Sequence, residues 1–166
     1  MFLNIPGYNR VLVNRKTGKS GSVDLFILNN LIFYVCVDLK AFANDNFEFV
    51  FVKFCSSTFK TRILGLVYQP PNSSLDLFMS GFESVLDRYN HFCVECLIAG
   101  DFNIDLLTYD VHHGIGLFLD CMHEHVLVPL TTKPTCFTSD SSILIDNIFT
   151  NKTSNIMMSG ILITDI

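Results

Sequence analysis

The stretch CLIAGDFNIDLL, residues 96–107, runs an apolar segment of strand type straight into Asp101, with Asn103 two residues on. A carboxylate at the C-terminal end of a buried strand stands where open α/β sheets collect their ligand-binding groups. The plainer reading of the Asp101–Asn103 pair is a turn or a helix cap, which both residue types favour. Asp146 is a second candidate. It lies inside ILIDNIF, with Leu144 and Ile148 on its own side of a predicted strand. An ionised carboxylate buried there is costly unless it is paired, hydrogen-bonded or close to a metal. It is therefore either a functional acid or one satisfied by backbone amides. Tyr68 closes the apolar run RILGLVY just before QPPN. On its own it reads as a half-buried residue at a strand end.

Other reactive side chains form weaker patterns. Cys93-Val94-Glu95-Cys96 with His91 is a lone Cys-x-x-Cys, and Cys96 adjoins a buried strand, so zinc is a poor reading. His112, His113, His123 and His125 sit on or beside a predicted helix and read as a solvated face; His123 and His125, two apart, diverge. There is no glycine-rich phosphate loop and no serine nucleophile elbow.

The elements that must position these residues are legible as apolar runs. Strands are expected at 22–28, 31–37, 47–54, 62–68, 96–101, 143–150 and 156–164. Asn29-Asn30 suits a hairpin turn between the first two. The run FEFVFVKF is apolar enough to be covered on both faces. Ser73 or Ser74 caps a helix reaching about residue 92, with Leu75, Phe78, Met79, Phe82, Val85, Leu86 and Tyr89 on one face. A second helix uses Ile115, Phe118, Leu119, Met122 and Val126.

At 166 residues, 49% hydrophobic and 16% charged, the chain reads as one globular domain with its elements buried on several faces. Such a pattern implies sheets packed on each other with helices outside. The net charge of −5 speaks against a broad phosphate-binding surface but is compatible with an acidic divalent-metal site. The six cysteines read as reduced, mostly buried thiols, and neither a signal peptide nor a membrane-spanning run is expected, which implies an intracellular protein, with the nucleus as one compatible location.

Taken in order, GLVYQPPN, LIAGDFNIDLL, TTKPT, LIDNIFTN and SGILITDI resemble the endonuclease domain of non-LTR retrotransposons. That domain is one branch of the endonuclease/exonuclease/phosphatase family, which has a DNase I-like fold. The resemblance covers nearly the whole chain. It implies a partial domain over 1–166: a four-layered α/β sandwich, incomplete here, of two mainly antiparallel sheets with outer helices. It further implies Mg²⁺-dependent cleavage of DNA, in an element that also encodes a reverse transcriptase. By motif, Asp101 matches the acid that orients or deprotonates the attacking water and is the expected metal ligand. Asn103 matches the amide that holds the phosphate, and Tyr68 the tyrosine whose hydroxyl contacts it. Asn72 matches a DNA-side amide, and Asp146 the acid that orients a catalytic histidine.

The resemblance also implies an upstream strand bearing an Asn and a metal-binding Glu, and a downstream Ser-Asp-His; neither lies within 1–166. Glu48 is in a later strand than that Glu, and Asp165 is not equated with the downstream acid. Ser20-Gly21-Ser22 replaces a usual glycine cluster, and Cys136 replaces a frequent basic residue. The 166 residues alone are accordingly expected to cleave weakly or not at all. Two alternatives remain: an inactive relic of a mobile element, and a small-molecule or lipid phosphatase of the same fold. YQPPN and LIDNIFTN favour the retroelement branch over the phosphatase.

Overall fold

The computed structural model describes residues 3–14, 22–42, 47–55, 61–90 and 94–161. Two strands, β1 (Tyr8–Asn14) and β2 (Ser22–Leu28), pair antiparallel. They are followed by β3 (Phe33–Val35), β4 (Glu48–Phe54) and β5 (Arg62–Tyr68). Helix α1 (Leu75–Asn90) leads to β6 (Glu95–Asp101), and α2 (His113–Glu124) to β7 (Val128–Pro129). Three short strands complete the order: β8 (Cys136–Phe137), β9 (Ser142–Ile143) and β10 (Asp146–Thr150). The central sheet has the order β3-β4-β5-β6-β10-β7. Its pairs are antiparallel except β5–β6, which α1 connects as a crossover.

Period-2 alternation divides the core between the two faces of this sheet. Phe49 and Phe51 of β4 enter a core with Phe78, Phe82, Phe102, Phe118 and Phe149 on the helical side. Val50 and Val52 point the other way and pack with Val23 and Ile27 of the β1–β2 pair. β4 is thus covered on both faces, as its continuous apolar run implies. Helices, central sheet and a two-stranded sheet form three successive layers among the described residues, an α/β sandwich of the expected class. The Ser74 hydroxyl accepts the Leu77 N–H at 3.4 Å and caps α1, one of the two serines expected there.

Four expectations are corrected. Asn29-Asn30 does not join a hairpin, because β2 pairs backwards with β1 and β3 pairs forwards with β4. The 31–37 run is a strand only over Phe33–Val35 and then tightens into a 3-10 turn at Val37–Phe42. The 143–150 run breaks at Leu144-Ile145, so β9 pairs with β8 while β10 enters the central sheet. Residues 156–161 form no strand, and Met157 and Met158 are exposed; 162–164 lie outside the described residues. An apolar run becomes a strand only when a sheet edge pairs with it.

Helix α2 ends in a complete two-bond cap: Leu127 N–H donates to the Met122 carbonyl at 2.9 Å and Val126 N–H to that of His123 at 2.8 Å. The left-handed position belongs to Val126, with φ of 61° and 65% exposure. A β-branched residue is strained there, and this one loses little packing if removed. Val126→Gly is expected to stabilise the protein by up to about 1 kcal/mol in chemical denaturation. An unchanged or lowered midpoint would show that Val126 bears no strain.

Candidate functional site

The register of the central sheet brings three of the sequence candidates side by side. Tyr68, the last residue of β5, is the parallel partner of Asp101, the last residue of β6. Asp146, the first residue of β10, is the antiparallel partner of the same Asp101. Registered partners project from the same face, so the phenol and both carboxylates share one face at one end of the sheet.

The turn after β6 adds Asn103. Its N–H donates to Asp101 Oδ1 at 3.1 Å, and its backbone is left-handed with φ of 48°, which Asn tolerates. Its side-chain Nδ2 donates to the Gln69 carbonyl at 2.6 Å, while Gln69 N–H donates to the Asp101 carbonyl at 2.9 Å. Gln69 therefore clasps the end of β5 to the turn after β6. The Asn103 side chain also hydrogen-bonds the Asp101 carboxylate, so the one amide braces the acid against the end of β5. Asn72 stands on the exposed turn beyond β5, also left-handed with φ of 65°.

Two further residues, both inside the motif stretches but given no role by the resemblance, hold the site together. Asp105 Oδ1 accepts the N–H of Leu107 at 3.2 Å and of Leu144 at 2.9 Å. Thr135 Oγ1 accepts those of Ile145 at 3.3 Å and Asp146 at 3.1 Å. Together they fix the entry to β10 against the turn after β6. The sequence signal was limited to side chains with local turn chemistry, and their long-range partners were not legible.

Asp146 is exposed, contrary to the expectation of a strand-interior buried acid. The break at Leu144-Ile145 makes it a strand-opening residue, and Ile148, two residues on along its own side, is exposed as well. Burial acts on Asp101 instead. It pushes that carboxyl above the ordinary aspartate range, the Asn103 backbone N–H pulls it back, and the neighbouring Asp146 charge raises it further.

The histidine reading is also corrected in part. His112, His113 and His123 are exposed, but His125 is buried. Its Nδ1 lies 2.9 Å from the Cys121 carbonyl and its Nε2 3.2 Å from Asp87 Oδ1, so it ties α2 to α1. Cys96 is buried in the core, and His91 and Cys93 fall outside the described residues. Burial pushes the Cys121 thiol up to about 11, with the charges of Glu83, Glu124 and Asp87 adding to the rise. A thiol so shifted is inert as a nucleophile near neutral pH.

Asp101 and Asp146 lie on neighbouring strands, roughly 5 Å apart in backbone spacing. Mg²⁺ is typically held by one or two carboxylates, with water and substrate oxygens supplying the remaining positions. Among the described residues no group of three His, Cys, Asp or Glu side chains gathers in ligating range, and Asp101 is the carboxylate that would hold such an ion. Among those residues, too, no helix is long and apolar enough to cross a membrane.

No protein-family model and no curated protein sequence matches the chain. Solved structures do. The endonuclease domain of TRAS1, a telomere-specific non-LTR retrotransposon, superposes with a TM-score of 0.67 at 14% identity, over 87% of this chain and 67% of that one. An endonuclease/exonuclease/phosphatase family protein from Bacteroides thetaiotaomicron gives 0.61 at 18% identity, over 89% and 62%. A mannosyl-6-phosphatase of the same bacterium gives 0.56 at 17% identity, over 88% and 63%. The chain thus spans about three-fifths to two-thirds of the length of these structures. The layered sheet, and the strand ends that bring Tyr68, Asp101 and Asp146 together, are built on the DNase I-like fold of the endonuclease/exonuclease/phosphatase proteins.

Proposed function

We propose that this chain is part of a divalent-metal-dependent phosphodiesterase domain that nicks DNA, belonging to a retroelement protein that also carries a reverse transcriptase. The observation that supports this best is the alignment of Tyr68, Asp101 and Asp146 on three adjacent strands, with the Asn103 amide held over the same strand ends. Mg²⁺, held by Asp101 and water, would polarise a phosphoryl oxygen and offset its charge. Asp101 takes the proton of the attacking water, a task helped by a carboxyl shifted towards neutrality. The Asn103 amide and the Tyr68 hydroxyl donate to the non-bridging phosphate oxygens. Asp146 orients a histidine supplied from outside the described residues. The preference for a DNA diester over a small phosphomonoester rests on YQPPN and LIDNIFTN.

Thermal denaturation and duplex binding test this together. Mg²⁺ with a short DNA duplex is expected to raise Tm, because a ligand that binds only the folded state stabilises it. Any nicking of supercoiled plasmid by the same protein should be slow and appear only with the metal. A Tm and a DNA affinity both indifferent to Mg²⁺ would overturn the reading.

A further inference from the structure

One buried acid has no part in this chemistry. Glu48 opens β4 and is only 3% exposed. The antiparallel register of β4 and β5 makes it the direct partner of Tyr68. Its face follows from its neighbours: Phe47 and Phe49 on either side enter the helical core, while Val50, two residues on, packs on the opposite face with Leu66 and Tyr68. Glu48 and the phenol therefore project together. This is the outermost pair of the β4–β5 ladder, so in the plane of the sheet Tyr68 lies between Glu48 and Asp101.

Directly opposed Cβ atoms on antiparallel strands lie about 4.5–5.5 Å apart. A carboxylate at that range attracts the electropositive edge of an aromatic ring and repels its face. Burying an acid is costly where an apolar side chain would serve for packing alone. A purely structural role at this position would be better filled by another valine, like those of Val50 and Val52.

We propose that Glu48 is a positioning residue for Tyr68, fixing the phenol in one rotamer with its hydroxyl on the Asp101 side. The consequence for phosphate binding rests on the proposed function; the effect on the ring itself does not. Fluorine NMR of protein labelled with 3-fluorotyrosine reads the ring directly. The chain has five tyrosines, and the Tyr68 resonance is assigned by its loss in Tyr68→Phe. In Glu48→Ala that resonance should shift and broaden while the other four stay in place. Glu48→Gln, which keeps the volume and an oxygen but not the charge, should shift it in the same direction but less than Glu48→Ala. An unmoved Tyr68 resonance overturns the proposal. So does a shift of all five, which would mark Glu48 as a general fold residue.

Affinity for a phosphodiester oligonucleotide in Mg²⁺ supplies the second reading. Glu48→Ala and Tyr68→Phe should each weaken it about fivefold, and the double variant should be no weaker than either, as for residues acting as one unit. Losses that multiply would show that Glu48 does not act through Tyr68. An affinity without Mg²⁺ dependence would instead overturn the proposed function and leave the ring measurement to decide on Glu48.

Discussion

Asp101→Ala is expected to lower Mg²⁺-dependent phosphodiester cleavage by about 100-fold or more, while leaving the fold at least as stable as before. The loss is large because one carboxylate is assigned both the cation and the proton of the attacking water, and removing one essential member of such a unit costs nearly as much as removing several. The stability half follows from the direction of the Asp101 shift. Burial holds its carboxyl above the ordinary range in the folded protein, so the native state favours the protonated form. Its contribution to stability is fully present below the unfolded aspartate pKa of about 3.9. That contribution is lost as pH rises through the raised folded value.

Asp101→Asn removes this penalty and keeps an acceptor for the Asn103 N–H. In metal-free buffer its Tm should exceed that of wild type by no more than a few degrees, since solvent screens a half-buried group. The difference should grow between acid and neutral pH. Without metal, a wild-type protein more stable than Asp101→Asn at neutral pH would contradict this account. Nicking by the wild-type protein that persists undiminished in Asp101→Ala would remove Asp101 from the chemistry.

Gly100→Ala is expected to abolish the fold. A Cβ at Gly100 would lie 1.8 Å from the Val67 carbonyl oxygen, 2.8 Å from its carbon and 3.0 Å from the Val67 nitrogen. These are backbone atoms of the paired strand, with no flexible side chain to move aside. β5 and β6 would have to part at the pair next to Tyr68 and Asp101. The cost is expected to exceed roughly 4 kcal/mol, a large share of the ~5–15 kcal/mol that holds a domain together. Gly65→Ala is the milder comparison, because there the close contact is the Phe51 ring, at 2.5 Å. Repacking around such a ring costs typically about 1–3 kcal/mol. Soluble yield, circular dichroism and Tm separate the two. A soluble Gly100→Ala protein with wild-type Tm would show that β5 and β6 do not approach each other this closely.

What the sequence determined by itself was local. Runs such as RILGLVY and CLIAGD bury themselves wherever they lie, and GDFN places an acid and an amide around a turn through backbone preferences of its own. The spacing of Phe78, Phe82, Val85 and Leu86 is a helix with one apolar face. These are short-range properties of neighbouring residues, which is why the strands at 22–28 and 62–68 and the helix at Leu75–Asn90 were legible. Tertiary structure alone decided which edges meet. Pairing energy depends on the partner, so the chain at 8–14, not among the strands expected from sequence, became a strand beside β2, while the apolar 156–161 found no edge among the described residues. The same cause moved Asp146 to the exposed start of β10 and buried Glu48 opposite Tyr68, since exposure follows from strand register and cover rather than from the identity of flanking residues. Gly100 is the sharpest case: its place in CLIAGD looked like one more small residue in a buried strand, and only the approach of the Val67 carbonyl excludes every side chain there.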